Sequence, residues 1–198
     1  KQELLQNVNI SGVTASNWLP TGVWSSTTDW IWEGKKDTDK VSMFFTTVDY
    51  DYFETLNLEF VDGRSFSKLH SSDLTDAYIV NEEAVRQMGL ESPVGKRFYI
   101  GDYTSGKIIG VTKNFNFQSL HYKIDPLVMV LDPERIRYMI VSLRDGAVTK
   151  TGMEEIEQAW NRICPNFPFQ YGFLDARIER MYGDEQRVKN IFRHFTYL

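Results

Sequence analysis

Cysteine is nearly absent: Cys164 is the only one, so the chain can form neither an intrachain disulfide nor a cluster of thiolate ligands. Long apolar runs are missing as well. No stretch of about 18 apolar residues occurs, which excludes a spanning helix within the 198 residues, and no signal peptide opens them. Basic residues never run beyond a pair such as Lys35-Lys36, and a net charge of -5 with a pI near 5.3 supplies no field for a phosphate backbone. Nucleic acid is therefore not an expected partner.

The reactive motifs are also lacking. His70, His121 and His194 stand far apart, and none falls in a zinc-like spacing. There is no nucleophile elbow, Walker loop or dinucleotide fingerprint, and the nearest glycine cluster, Gly101 to Gly106, lies between two strand candidates and reads as a hairpin loop. Asp49 and Asp51 have the spacing of a carboxylate pair, but they stand just before a helix, where capping accounts for them. His70 with Asp73 supplies too few ligands for a cation. Cys164, at a helix end beside Pro165, reads as a buried structural thiol. No catalytic, cofactor-binding or metal-ligating residue is assigned, no cofactor is expected, and the chain is read as not being an enzyme.

What is present is an ordinary globular core: 42% hydrophobic residues, 14% of the chain aromatic. Lys1 to Asn7 reads as a helix-like fragment without a cap, continuing from something upstream. Strands are expected at Ile10 to Ser16, Ser42 to Val48, Ala77 to Val80, Val94 to Ile100, Lys107 to Val111, Leu127 to Leu131 and Tyr138 to Leu143. A short helix is expected over Tyr52 to Leu58 and a turn over Phe60 to Phe66. Asn81 is placed to cap a helix that Gly89 ends and Pro93 prevents from continuing. A third helix runs from Thr151, with Met153, Ile156, Ala159, Trp160 and Ile163 on one face. Phe169, Tyr171 and Phe173 alternate as in a last strand. Val188, Ile191, Phe192, Phe195 and Leu198 form an apolar helical stripe that grows stronger toward the end, as expected before a membrane span or of a C-terminal core helix. The pattern is mixed α and β without the regular alternation of a doubly wound sheet. Within the aromatic stretch from Asn17 to Trp32, Trp24, Trp30 and Trp32 are a candidate partner surface, to be weighed against plain core packing.

A succession of segments carries a resemblance. Val48-Asp49-Tyr50-Asp51-Tyr52-Phe53-Glu54-Thr55-Leu56 is followed by Gly63-Arg64-Ser65-Phe66, by Val80-Asn81-Glu82-Glu83-Ala84-Val85 with Met88-Gly89, by Pro93-Val94-Gly95-Lys96 and by Ile109-Gly110-Val111. In this order they resemble the MacB-like periplasmic core domains of MacB/FtsX-like ABC transporter permeases. Asn114-Phe115-Asn116-Phe117 and Asp125-Pro126-Leu127 resemble the next segment in permeases of the Bacteroidetes type, although Asn114 stands where those often carry aspartate.

The resemblance implies an α+β fold of two lobes. A Porter-like α/β lobe would be built from residues 1–62 and 117–198, with membrane-proximal helix ends, and a Sabre-like lobe from residues 63–116 would be inserted in it. It implies a periplasmic domain of a bacterial inner-membrane protein, set between the first two membrane helices, with the membrane reached through flanking helices outside this chain. The implied partners are an ABC ATPase subunit or domain acting through the permease, a second permease copy in a dimer, and a periplasmic partner or substrate. The implied role is to transmit ATP-driven conformational change. The alternative is an independent extracytoplasmic ligand-binding or sensor domain.

Overall fold

The computed structural model describes residues 1–101, 106–118, 123–144 and 150–179. The apolar stripe from Val188 to Leu198, together with His121 and His194, lies outside them.

Ten strands form among the described residues: β1 (Ile10–Ser16), β2 (Ser26–Thr27), β3 (Trp30–Trp32), β4 (Met43–Val48), β5 (Phe60–Gly63), β6 (Ala77–Asn81), β7 (Arg97–Ile100), β8 (Gly106–Thr112), β9 (Leu127–Leu131) and β10 (Tyr138–Leu143). The helices include α1 (Tyr52–Thr55), α2 (Asp73–Asp76), α3 (Glu82–Met88) and α4 (Lys150–Ile163), with 3-10 turns at Leu4–Gln6 and Pro133–Arg135, and residues 174–179 are helical as well. The strands join in one sheet of order β10-β1-β4-β9-β6-β8-β7-β3, with β2 also paired to β4 and β5 to β8. The β4–β9 and β6–β8 pairs are parallel, and the β6–β9 pair between them is antiparallel. The fold is thus α+β. Of the strands within residues 63–116, β6 pairs with β9, β7 with β3 and β8 with β5, so the stretch is joined to the rest of the sheet at three places.

Period-two alternation sorts the side chains onto two covered faces. Ala77, Ile79, Leu127, Met129 and Leu131 meet Phe53, Phe66 and Phe117 on one side. Tyr78, Val80 and Val128 meet Ala84 and Met88 of α3 and the aromatic β3–β7 pair on the other. Burial on both faces is why β6 and β9 read as uninterrupted apolar runs. A third cluster joins Leu4, Ile10 and Val13 to Ile156 and Ala159 of α4.

Helix ends follow local chemistry. Asn57 takes a left-handed φ of 52°, and the Leu58 amide donates to the Phe53 carbonyl at 2.8 Å, so α1 stops at Thr55, short of the expected Leu58. Gly89, at φ 68°, ends α3 in the same way, with the Leu90 amide on the Val85 carbonyl at 3.3 Å, as the sequence leads one to expect.

Four local expectations are corrected. Residues 60–63 form β5 rather than part of a turn, because Gly63, at φ +73°, lets the chain run so close to β8 that a Cβ there would lie 2.2 Å from the Ile109 carbonyl oxygen. Residues 169–173 take no regular secondary structure and pair with no described strand; their rings contact each other instead, Phe169 with Tyr171 at 5.3 Å and Tyr171 with Phe173 at 5.7 Å. The helix-like start contracts to the single turn Leu4–Gln6, of which only Leu4 is buried. Cys164 is half-buried rather than buried.

Candidate functional site

The chain's first residue is tied to the body of the sheet. The Lys1 ammonium donates to Asp49 Oδ2 at 2.5 Å and to the Asp51 carboxylate, and the buried Thr14 hydroxyl donates to Asp49 from β1. Asp49 follows β4 directly, and its amide donates to the Ala15 carbonyl at 3.0 Å, so one carboxylate joins the terminus, β1, β4 and the start of α1. This corrects the capping explanation: Asp51 occupies the N-cap of α1, but its side chain makes no capping bond and is spent on Lys1. Burial alone would lower the Lys1 pKa, but hydrogen bonds and charge from the two carboxylates outweigh it and hold the pKa above the ordinary lysine value. A raised folded value stabilises the fold fully below the unfolded-state pKa and is lost as pH rises through the folded one. Hydrogen exchange of the Leu4 to Val13 amides, with rates corrected for pH, is therefore expected to show protection that declines above about pH 10.5. Asp49→Asn with Asp51→Asn is expected to abolish that decline by removing the protection beforehand.

Beside this anchor runs an open groove of about 530 Å³, lined by Tyr50, Glu54, Asn57, Phe60, Ser65 and Lys68, with the Lys68 ammonium 5.5 Å from the Tyr50 ring centre. Its far wall is held by a clamp. Arg64 grips Asp73 with both terminal nitrogens, at 2.6 and 2.8 Å, and the Ser67 amide donates to the same carboxylate at 2.9 Å. Asp73 is 2% exposed, and its oxygens are occupied by Arg64 and the backbone, so the pairing with His70 considered as a cation site is replaced by an internal ion pair. Burial would raise the Asp73 pKa, but the Arg64 and Ser67 hydrogen bonds, with the charges of Arg64 and His70, hold it below the usual carboxylate value.

The start of α3 is a second junction. The Asn81 carbonyl oxygen accepts from the Ala84 amide at 3.0 Å and the Leu127 amide at 2.9 Å, while its amide group donates to the Asp125 carbonyl at 2.9 Å. Asn114 accepts from the Glu83 amide at 3.0 Å, and Glu82 accepts from the Asn114 amide at 2.9 Å. Asparagine suffices there because the contact needs an acceptor and not a charge. Asn81→Ala, which strands two buried amides and a carbonyl, is expected to cost about 2–3 kcal/mol in urea unfolding; a loss within 0.5 kcal/mol, by the same order-of-magnitude scale, would contradict the junction.

The three tryptophans divide. Trp30 and Trp32 are 1% and 4% exposed, in the core formed by β3, β7 and α3, with Trp30 stacked on Phe98 at 5.2 Å. They are core residues and not a partner surface, because β3 turns them onto the covered face of the sheet. Only Trp24 is exposed, at 64%, close to Gly22 and Arg177. Sequence reasoning missed the partners of Lys1 and Arg64; the buried Asp73, nine residues after Arg64, was the nearest signal for the second.

The segments that stand out in sequence thus serve architecture: Asp49 and Asp51 as an anchor, Gly63 as a close approach, Arg64 as a clamp, Asn81 and Gly89 as helix ends. Together with a sheet covered on both faces, they define the architecture of a mixed α+β domain. The chain belongs to the MacB-like periplasmic core domain family, whose profile matches residues 2–159. It is accordingly an extracytoplasmic domain of a MacB-like ABC transporter permease. No curated protein matches it. Among solved structures it is similar to the periplasmic region of MacB from Actinobacillus actinomycetemcomitans, at 14% identity and a TM-score of 0.56, over 82% of this chain and 71% of that one. The extracellular domain of the ABC-type transporter YknZ from Gram-positive bacteria is similar at 16% identity and a TM-score of 0.56, over 82% of each chain. A domain assigned to a permease protein of Porphyromonas gingivalis is similar at 16% identity and a TM-score of 0.56, over 88% of this chain and 86% of that one. These likenesses, at such low identity, bear on the fold.

Proposed function

We propose that this domain, itself non-catalytic, transmits ATP-driven conformational change from an inner-membrane permease to a periplasmic substrate or partner protein. The observation that carries the reading is the anchor: Lys1, Asp49, Asp51 and Thr14 fasten the first residues to β1, β4 and α1, so a displacement of that segment is passed to the sheet rather than absorbed in a loose tether. In this reading the driving partner is an ABC ATPase subunit or domain, and the permease works as a dimer of two copies. The exposed Trp24 is a contact for the periplasmic partner. Movement between a lobe of residues 1–62 with 117–198 and a lobe of residues 63–116 would have to flex the sheet at the β9–β6, β3–β7 and β5–β8 pairs. The test is hydrogen exchange on the full-length permease reconstituted with its ATPase. ATP should change the protection of β1 and α1 amides, whereas an ATP response confined to the cytoplasmic parts would refute the reading.

A further inference from the structure

Strand β10 ends the sheet order: it pairs with β1 on one side, and among the described residues no strand pairs with the other. Sheets blunt such edges by shortness, charge, proline or bulges. The opposite edge does so: β3 is three residues long, and the Lys35 ammonium lies 4.7 Å over its Trp32 ring. β10 is six residues long, Tyr138-Met139-Ile140-Val141-Ser142-Leu143, without charge, proline or glycine, and the register shift in its ladder lies in β1, between Ile10 and Gly12. Tyr138 and Met139 are 41% and 45% exposed, while Val141 and Leu143 pack toward the α4 cluster and Ile140 toward the α1 side. An added strand would therefore meet apolar neighbours on both faces.

The ends of this edge select the occupant. Exposed Arg137 and Arg144 bracket the strand, and neither has an ion pair among the described residues, whereas Arg135 is held by Asp132 at 3.2 Å. A second copy pairing antiparallel about the strand centre would bring Arg137 opposite Arg144 at both ends, a like-charge arrangement that destabilises cross-strand pairs. A segment with acidic ends meets the opposite situation.

We propose that β10 is a docking edge for an extended segment of a partner protein, β-branched in its middle and acidic at both ends, which adds to the sheet as a further strand. This inference rests on the edge and its charges, and is independent of the transmission reading. The experiment uses the 198-residue chain and two fluorescent peptides, Asp-Asp-Thr-Val-Thr-Val-Thr-Asp-Asp and its counterpart with lysine in place of every aspartate. The acidic peptide is expected to bind about tenfold tighter, as two exposed charge pairs allow, and to shift the amide resonances of residues 137–144. Arg137→Glu with Arg144→Glu should invert the preference, and Met139→Gln, which removes an apolar contact without adding charge, should weaken both peptides while leaving the unfolding midpoint in place. Equal binding of the two peptides, no binding at millimolar concentration, resonance shifts elsewhere, or sedimentation showing two copies joined through β10 would each overturn the proposal.

Discussion

Trp30→Ala is expected to remove about 3–5 kcal/mol of unfolding free energy, the range for emptying a large aromatic from a core. The indole is 1% exposed and is held by Phe98 at 5.2 Å, Phe45 at 6.0 Å and Tyr78 at 6.2 Å, so the surrounding rings belong to three different strands and cannot collapse together into the space. Trp24→Ala, at an exposed site, should change stability by no more than about 0.5 kcal/mol. Urea unfolding of the two variants separates them, since the midpoint should fall for Trp30→Ala at an unchanged slope. Similar losses at both positions would mean that the division of the tryptophans between core and surface is wrong.

Arg64→Ala is expected to cost about 3–5 kcal/mol, because it leaves the Asp73 carboxylate buried with the Ser67 amide and without its ion-pair partner. For a chain of this size that is a fall in Tm of roughly 6–20 °C. Arg64→Lys should recover only part of it, since an ammonium cannot reproduce the two-nitrogen grip. Replacing both partners with apolar residues, Arg64→Met with Asp73→Leu, should recover most of it. The pH dependence has a definite sign. With its folded pKa depressed, Asp73 stabilises the native chain above its unfolded-state pKa of about 3.9 and loses that contribution as pH falls through the folded value. In Arg64→Ala the bare carboxylate is relieved by protonation, so the gap in Tm between the native chain and the variant should narrow at pH 3. A gap that widens there would contradict the ion-pair account.

Much of the sheet was legible because its signals are local. Ile10 to Ser16, Leu127 to Leu131 and Tyr138 to Leu143 are apolar or β-branched runs bounded by polar and turn residues, and the strands occupy those residues. Asn81 and Gly89 act on their own helix, so their roles could be read from position alone. What escaped reading depends on partners far along the chain. β5 reads as a turn because Asp62-Gly63 is turn chemistry, and only β8, nearly fifty residues later, makes it a strand. Trp24, Trp30 and Trp32 look alike in sequence, and the β3–β7 pairing alone decides which are covered. Asp49 and Asp51 carry the spacing of a helix start, while the group that claims them lies 48 and 50 residues away.

The most direct measurement of coupling uses the full-length permease with its ATPase, Cys164 replaced by serine and a spin label placed at the exposed position 69 of each copy. ATP should change the distance between the two labels in the native background. With Asp49→Ala and Asp51→Ala, ATP hydrolysis should persist while that distance change is lost, because the moving segment is no longer fastened to the sheet. Labels that respond to ATP equally with and without the two carboxylates would contradict the account.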